Sequence, residues 1–264
     1  MQHEAVDGVV IRVKDFGDHD RYLTLLTKSG RMTLLAKGAH SLKGGQRGVS
    51  QLYTYGNFEY YRRGATLPIL KGGSPIQPFY GLSTDLEKLH LAAYFCDLAY
   101  ELSDEGEESE ELLRLLLNAL YAVSQDRYPA DLVKAALEFR LSAISGYAPD
   151  VGACDLCHTV DADYFYLDVM NGALICSSCL SKRSGIKAPT DDPSEASLLC
   201  RLSPSALMAL RYLISAPAER LFAFSLEEGR EREEFCRAAE TYLLSHLERG
   251  FDSLQFYHSL QEKG

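Results

Sequence analysis

The sequence lacks any apolar run close to the roughly 18 residues that a membrane-spanning helix needs. Its first residues, Met1 to Ala5, also lack the basic and apolar regions of a secretory signal peptide. We therefore expect a cytoplasmic protein. In that compartment thiols stay reduced, and paired cysteines bind metal more often than they form disulfides.

Familiar catalytic motifs are absent as well. The chain contains no Walker A lysine motif, no His-Glu-x-x-His and no Gly-x-Ser-x-Gly, and its seven histidines are scattered. The nearest approach to a metal-dependent nuclease site is Asp15, Asp18 and Asp20 with His19, a set that is typical of a turn between strands. We expect a protein that is not an enzyme, and a nuclease is the third-ranked alternative.

Four of the seven cysteines are clustered in two pairs. Cys154-x-x-Cys157 and Cys176-x-x-Cys179 are separated by 18 residues, a spacing that is typical of zinc sites. A two-residue gap lets both thiolates of a pair reach one ion, and tetrahedral Zn²⁺ needs two such pairs. The sequence therefore predicts one structural Zn²⁺ per chain. The isolated Cys96, Cys200 and Cys236 are expected in the core.

The segment between the two pairs predicts a β-hairpin over residues 164–170 and 173–175, with Asn171-Gly172 as its turn. The hairpin would return the second cysteine pair to the first and be clamped against neighbouring helices. A redox dithiol pair and four unrelated core cysteines are the alternatives to zinc. His158 is a rival ligand.

The charge is unevenly distributed along the chain. The formal net charge is −10, yet residues 1–78 hold eleven Lys and Arg against six Asp and Glu. The first part therefore carries about +5 and the remainder about −15. A polyanion suits the first part, and a basic partner suits the rest.

The first 78 residues are predicted to form strands. Alternating or β-rich runs occupy residues 5–14, 21–28, 31–37, 52–61 and 66–73, with a two-residue hairpin at Ser29-Gly30. The alternation in the first run places Val9 and Ile11 on one side and Val10 on the other. Five short strands without a helix-length gap favour a small closed barrel, for which an OB fold is the simplest candidate.

The rest of the chain is predicted to be mostly helical. Helical spacing occurs over residues 83–103, 110–124, 129–145, 204–215 and 229–248. Ser109 and Ser203 are predicted N-caps. The fold class is therefore α+β, an N-terminal five-stranded OB-fold barrel followed by an α-helical domain with an inserted four-cysteine zinc element.

With these elements in place, the chain resembles the RecO family of bacterial recombination mediators over nearly its whole length. The matching segments include Ala36-Lys37-Gly38-Ala39, and the central match runs straight into Cys154. In order along the chain they are residues 8–21, 23–27, 36–39, 137–141, 146–149, 242–247 and 253–254. The resemblance implies an OB domain, a helical domain and a zinc element, although not every member keeps the zinc cysteines.

The resemblance implies a role in DNA repair and recombination. Such proteins bind single- and double-stranded DNA, anneal complementary strands, and interact with the single-stranded DNA-binding protein SSB and with RecR to help load RecA. We accordingly expect a nucleoid-associated protein. The expected domains are a DNA-binding barrel (1–80), a first helical part (81–150), a zinc-binding hairpin (151–185) and a C-terminal helical part (186–264).

Basic residues of the barrel are the candidate DNA contacts, because Lys and Arg bind phosphates without reading sequence. They are Arg12, Lys14, Arg21, Arg31, Lys37, Lys43, Arg47, Arg62 and Arg63. Tyr53, Tyr55 and Tyr61 are candidates for stacking on bases. Residues 40–47 hold fewer basic residues than family members often carry there. A second hypothesis is therefore a protein-interaction adaptor with weak intrinsic DNA binding.

The predicted helix over residues 129–145 is a candidate site for the SSB tail. That tail is acidic and ends in Phe with a free carboxylate, as the family resemblance implies. A basic residue beside an apolar groove would suit it, and the candidate contacts are Lys134, Leu137, Phe139 and Arg140. The alternative is a core helix with two solvated charges.

Overall fold

A computed structural model describes residues 2–39, 48–64, 66–182 and 198–261. Contacts within the chain group it into two units. The first comprises Met1–Arg127 together with Phe251–Gly264, and the second comprises Tyr128–Gly250. The predicted bounds of the four functional segments, 1–80, 81–150, 151–185 and 186–264, stay a prediction.

Five strands in the first unit form a closed barrel, which confirms the predicted OB architecture. They pair in the order β1-β2-β3-β5-β4, and β1 also pairs with β4. The strands β3 and β5 run parallel and the other neighbours run antiparallel. Their bounds are β1 (Gln2–Phe16), β2 (Asp20–Thr27), β3 (Gly30–Ala36), β4 (Tyr55–Arg62) and β5 (Ile69–Gln77).

The alternation predicted for β1 was wrong at its centre. A bulge between Val10 and Arg12 shifts the register where β1 changes partner from β4 to β2, and Val9, Val10 and Ile11 are all buried. A bulge bends the strand and sharpens its twist, which allows one long strand to serve both sides of a small barrel. The run predicted over residues 52–61 starts only at Tyr55, because Tyr53 adopts a left-handed backbone (φ 66°).

Two helices follow the barrel in the first unit. A 3-10 turn (Tyr80–Thr84) precedes α1 (Leu86–Glu101), so the predicted helix over 83–103 begins late. Asp85 fixes that start, since its carboxylate accepts the N–H of Glu87 at 2.7 Å. The bounds of α2 (Glu110–Ser124) are as predicted, but Ser109 does not cap it with its side chain, and its hydroxyl donates to Glu107 O instead.

The second unit combines a small sheet with helices. The sheet order β6-β8-β7-β9 confirms the hairpin of β7 and β8, whose connection spans the four residues 169–172. It adds two strands that the sequence did not predict, β6 beside β8 and β9 beside β7. Ser203 caps α5 by accepting the N–H of Ala206. The elements are α3 (Ala130–Ile144), β6 (Asp150–Cys154), β7 (Phe165–Asp168), β8 (Ala173–Cys176), α4 (Ser177–Lys182), β9 (Leu199–Leu202), α5 (Pro204–Ser215) and α6 (Arg230–Leu247).

A last helix, α7 (Asp252–Gln261), belongs to the first unit and was not predicted. It packs on α1, where Phe251 meets the Tyr94 ring edge-on at 5.7 Å and Ser253 donates a hydrogen bond to Asp97. Among the described helices, none is both long enough and apolar enough to cross a bilayer.

The tight turn between β2 and β3 yields a first prediction. Gly30 has φ 92°, and a Cβ there would lie 2.0 Å from Asp104 O. An L-residue in this region costs about 1–2 kcal/mol, and the Asp104 carbonyl, which accepts the N–H of Arg31 at 3.0 Å, would also have to move. We expect Gly30→Ala to lower the free energy of unfolding by more than ~3 kcal/mol in urea titrations.

Gly17 is the matched control for this substitution. It also has a positive φ (63°), but no atom lies within 4 Å of the position that a Cβ would take there. Gly17→Ala should therefore lower the free energy of unfolding only by the strain of a left-handed backbone, about 1–2 kcal/mol. Equal losses for the two variants would contradict the close packing at Gly30.

Candidate metal centre and barrel surface

The four clustered cysteines converge on one point of the second unit. Cys154 ends β6 and Cys176 ends β8, while Cys157 lies in the turn after β6 and Cys179 lies in α4. All four Sγ atoms lie within 4.8 Å of one another, and Cys157 Sγ is 3.7 Å from Cys176 Sγ. Four sulfurs at Zn–S distances of about 2.3 Å would sit about 3.8 Å apart, so the group fits a tetrahedral ion.

Backbone hydrogen bonds shape the first cysteine turn before any metal is considered. The N–H of Asp155 donates to Leu174 O and the N–H of His158 donates to Cys154 O, both at 2.8 Å. The N–H of Cys176 donates to Cys154 Sγ at 3.3 Å. The predicted rival ligand, His158, is exposed and does not belong to the group of four possible metal ligands.

The clustered thiols differ in how readily they ionise. Burial opposes ionisation of Cys154, but backbone N–H groups, led by that of Cys176, outweigh it and lower its pKa to about 6. Burial raises the pKa of Cys176. Hydrogen bonds with Cys157 and Cys176 raise the pKa of Cys179 to about 12. Four thiolates this close repel one another, and a divalent cation would let all of them ionise.

Two arginines bind the four-cysteine segment and its sheet to the helices of the same unit, and the sequence analysis did not identify them. Arg211 of α5 donates to Val151 O at 2.7 Å and to Gly152 O at 3.0 Å. The guanidinium of Arg201 lies 3.7 Å from the centre of the Tyr164 ring and pairs with Glu234 of α6. Their local sequence carries no signal for this role, because their partners are distant in the chain.

Two of the predicted DNA contacts are held against α1 and its following segment. Arg12 pairs with Asp97 at 3.2 Å and Arg31 pairs with Asp104 at 3.0 Å. Both guanidinium groups stack on the ring of Tyr100, at 3.6 Å and 4.2 Å from its centre. Sequence reasoning missed Tyr100. The sequence signal that could have found it is the recurrence of Asp97, Tyr100 and Asp104 at intervals of three and four residues.

The remaining predicted contacts fall into three groups. Arg21 pairs with Asp15 at 2.7 Å. Lys43 and Arg47 lie outside the described residues. Within the described part of the chain, the other four are exposed and have no acid within ion-pair distance; they are Lys14, Lys37, Arg62 and Arg63.

Comparison with known proteins assigns the chain to a family. A model of the N-terminal part of recombination protein O matches residues 1–79, and a model of its C-terminal part matches residues 83–255. The chain belongs to the RecO family. Membership of this family supports a role in DNA repair and recombination.

Several RecO relatives match this chain along its length. The DNA repair protein RecO of Acetivibrio thermocellus is 29% identical over 262 residues, which cover 98% of each chain. The protein of that name from a Roseiflexus species is 31% identical over 260 residues, covering 97% of this chain and 85% of the relative. The one from Symbiobacterium thermophilum is 29% identical over 262 residues, covering 97% of each.

The helix α3 places its four candidate tail contacts mostly in the interior. Leu137 and Phe139 are fully buried, and Phe139 packs against Phe235 of α6. Arg140 is half-buried and donates to Ile214 O. These residues do not line an exposed groove, because this side of α3 packs against α6. Binding of the SSB tail stays a prediction.

Lys134 is a buried ion-pair partner in the same helix. Its Nζ lies 2.9 Å from Glu138 and 2.5 Å from Glu240. Burial alone would lower the pKa of Lys134, but the two carboxylates outweigh it and raise that pKa above its usual value. The stability that these ion pairs contribute to the fold is therefore complete at neutral pH. It is lost only as the pH rises above the ordinary lysine pKa of about 10.4 towards the raised pKa of Lys134.

This geometry predicts a large stability loss for Lys134→Met. Removing one partner leaves the Glu138 carboxylate buried and uncompensated, which costs about 3–5 kcal/mol in the free energy of unfolding. The double variant Lys134→Met/Glu138→Met should recover much of that loss. Lys88→Met is the control, since Lys88 pairs with the exposed Asp126 and should cost less than ~1 kcal/mol. Similar losses for Lys134→Met and Lys88→Met would contradict the buried pair.

Proposed function

We propose that this chain is a recombination mediator. It would bind single- and double-stranded DNA, anneal complementary strands, and act with SSB and RecR to help load RecA. The observation that carries the proposal is a closed OB barrel with four exposed cations, Lys14, Lys37, Arg62 and Arg63, in a member of the RecO family.

The chemistry of the barrel supports DNA as the ligand. OB folds bind oligonucleotides on their strand surface and adjoining loops. Lys and Arg contact phosphates without reading base sequence, which suits a protein that must act on any broken DNA. Opposite charge elsewhere in the chain would not prevent this, because exposed charges more than about 10 Å apart are largely screened at 0.1 M salt.

A protein-interaction adaptor with weak DNA binding is the second candidate. It is favoured by the acids that already neutralise Arg12, Arg21 and Arg31. Lys28, a further barrel cation, pairs with Glu110 and holds the pKa of that carboxyl below its usual range. An adaptor would contact SSB and RecR but would not itself speed annealing.

Annealing of complementary strands, with and without an SSB coat, separates the two candidates. We expect the full chain to accelerate annealing in both cases. The double variant Arg62→Ala/Arg63→Ala should accelerate it less than the parent chain does. Loss of two phosphate contacts should also reduce the slope of log affinity against log salt by about 1.4 for single strands. Arg220→Ala, an exposed arginine of the second unit, should leave both quantities unchanged.

The two candidates differ in one outcome of that assay. No acceleration of annealing by the parent chain, together with retained binding to SSB, would favour the adaptor. The proposed contact between α3 and the SSB tail would then be tested by substituting Arg140, the one candidate residue of the four that is partly exposed.

The metal at the four-cysteine centre is proposed to be Zn²⁺. Four sulfur ligands at tetrahedral spacing are typical of structural zinc, and four protein ligands leave no open position for a reacting water. The ion would lock the turn after β6 to α4 and so hold the hairpin of β7 and β8 against the helices. Its loss would affect folding of the second unit first.

Metal analysis of protein purified without chelator tests this assignment. We expect one zinc per chain, and we expect Cys154→Ser to lose most of the metal and to lower the melting temperature. Cys200→Ser is the control because Cys200 lies outside the cluster, and it should keep the metal. A stoichiometry near zero in the parent chain, with four freely titrating thiols, would refute the zinc site.

A further inference from the structure

Exposure to solvent divides the four clustered cysteines into an outer and an inner pair. Cys157 is exposed and Cys179 is half-buried, whereas Cys154 and Cys176 are 0% and 1% exposed. A small reagent that arrives from solvent therefore meets the sulfur of Cys157 first. The buried sulfurs of the inner pair are reached only after the turn that carries Cys157.

A second sulfur lies within reach of the exposed one. Cys157 Sγ is 3.7 Å from Cys176 Sγ, so a movement of less than ~2 Å would bring the two sulfurs to the length of a disulfide bond. Cys176 is fixed at the end of β8, where its N–H donates to Cys154 Sγ. The movement would therefore fall to the turn after β6, which carries Cys157.

The three cysteines outside the cluster are poor targets for an oxidant. Burial raises the pKa of Cys200 to about 11 and that of Cys236 to about 12, and it also raises the pKa of Cys96. These three groups are thiols at neutral pH, and the thiolate is the form that an oxidant attacks. Sulfurs that ligate zinc, in contrast, are thiolates.

We infer that the four-cysteine centre is a peroxide-sensitive site, in which Cys157 is the sulfur that is oxidised and Cys176 is its disulfide partner. The inference rests on the zinc assignment proposed above and goes beyond it. An ion with a purely structural role stays bound, whereas this one would be released on oxidation and taken up again on reduction.

The oxidation has two steps, and hydrogen peroxide is the oxidant. The Cys157 thiolate attacks one oxygen of the peroxide, the O–O bond breaks, and a sulfenic acid forms while the other oxygen leaves as hydroxide and is protonated to water. The Cys176 thiolate then attacks the Cys157 sulfur, and the sulfenic hydroxyl leaves as water after taking a proton from solvent. In sum, two thiolates, one peroxide and two protons give one disulfide and two waters.

The disulfide would remove two of the four metal ligands. Cys154 and Cys179 alone do not complete the four-sulfur set of a structural zinc site, so the ion would leave. The new bond would still tie the turn after β6 to the end of β8, whereas α4 would lose the tie that Cys179 provides. The oxidised chain should therefore melt below the zinc-bound chain but above the reduced chain stripped of metal by a chelator.

Zinc release from the full chain tests this inference. The zinc-loaded protein is treated with hydrogen peroxide in the presence of a chromogenic chelator, and an untreated sample shows the background. We expect release of one zinc per chain with the loss of two titrating thiols. Peptide mapping without reduction should find Cys157 joined to Cys176, and dithiothreitol with added zinc should restore the metal.

The variant Cys157→His separates oxidation from binding of the metal. Histidine is an ordinary zinc ligand, so the variant should carry zinc. It should lose the Cys157–Cys176 crosslink and keep its zinc over the time in which the parent chain releases most of it. Cys200→Ser is the control, because Cys200 lies outside the cluster, and it should release zinc as the parent does.

A reagent that traps sulfenic acids keeps the test decisive if Cys157→His fails to bind zinc. A dimedone-type trap added to the parent chain with peroxide should label Cys157 before any other cysteine. Labelling that begins at Cys96, Cys200 or Cys236 would overturn the inference.

The remaining outcomes distinguish this inference from the zinc assignment. If the parent chain carries zinc and peroxide neither releases it nor forms the Cys157–Cys176 bond, the oxidation site is wrong while the zinc assignment stands. A disulfide confined to one pair, Cys154 with Cys157 or Cys176 with Cys179, would also overturn the inference. A parent chain that binds no zinc would overturn both.

Discussion

The closure of the barrel by β1 is the constraint on which the rest of the structure depends. This one strand pairs with β4 along its first half and with β2 along its second, so the five-stranded sheet has no free edge. Closing a sheet requires a stagger between strands, and because of that stagger the pairings around the barrel lead from His3 at one end of β1 to Lys14 near the other. The bulge after Val10 makes the change of partner possible.

Tertiary contacts determine which cations of the barrel are paired with acids and which remain exposed. The cations that α1, α2 and their connection meet are neutralised, and Tyr100 between two guanidinium groups adds cation–π attraction to the ion pairs. Lys14, Lys37, Arg62 and Arg63, which form no ion pair with those helices, stay exposed. A chain with a net charge of −10 can therefore present a locally basic surface to a polyanion.

Local patterns in the sequence predicted a good deal of this architecture. The two cysteine pairs could be interpreted because each pair is a short turn, and α2 and α5 have their predicted bounds because acids, a serine cap and proline mark their starts. What the sequence could not predict depends on distant partners. The acids that pair with Arg12 and Arg31 lie 85 and 73 positions away. Likewise, α7 joins the first unit, and the buried Phe139 of α3 packs against Phe235 of α6, 96 positions away.

The central claim, as proposed above, is that this RecO family member binds DNA on its N-terminal barrel. Photocrosslinking of a bromodeoxyuridine-substituted single strand to the full chain, followed by peptide mapping, tests it most directly. The account predicts crosslinks in the barrel, between Gln2 and Gln77, and their loss when unlabelled single strand competes. Crosslinks confined to the second unit, between Tyr128 and Gly250, would contradict it.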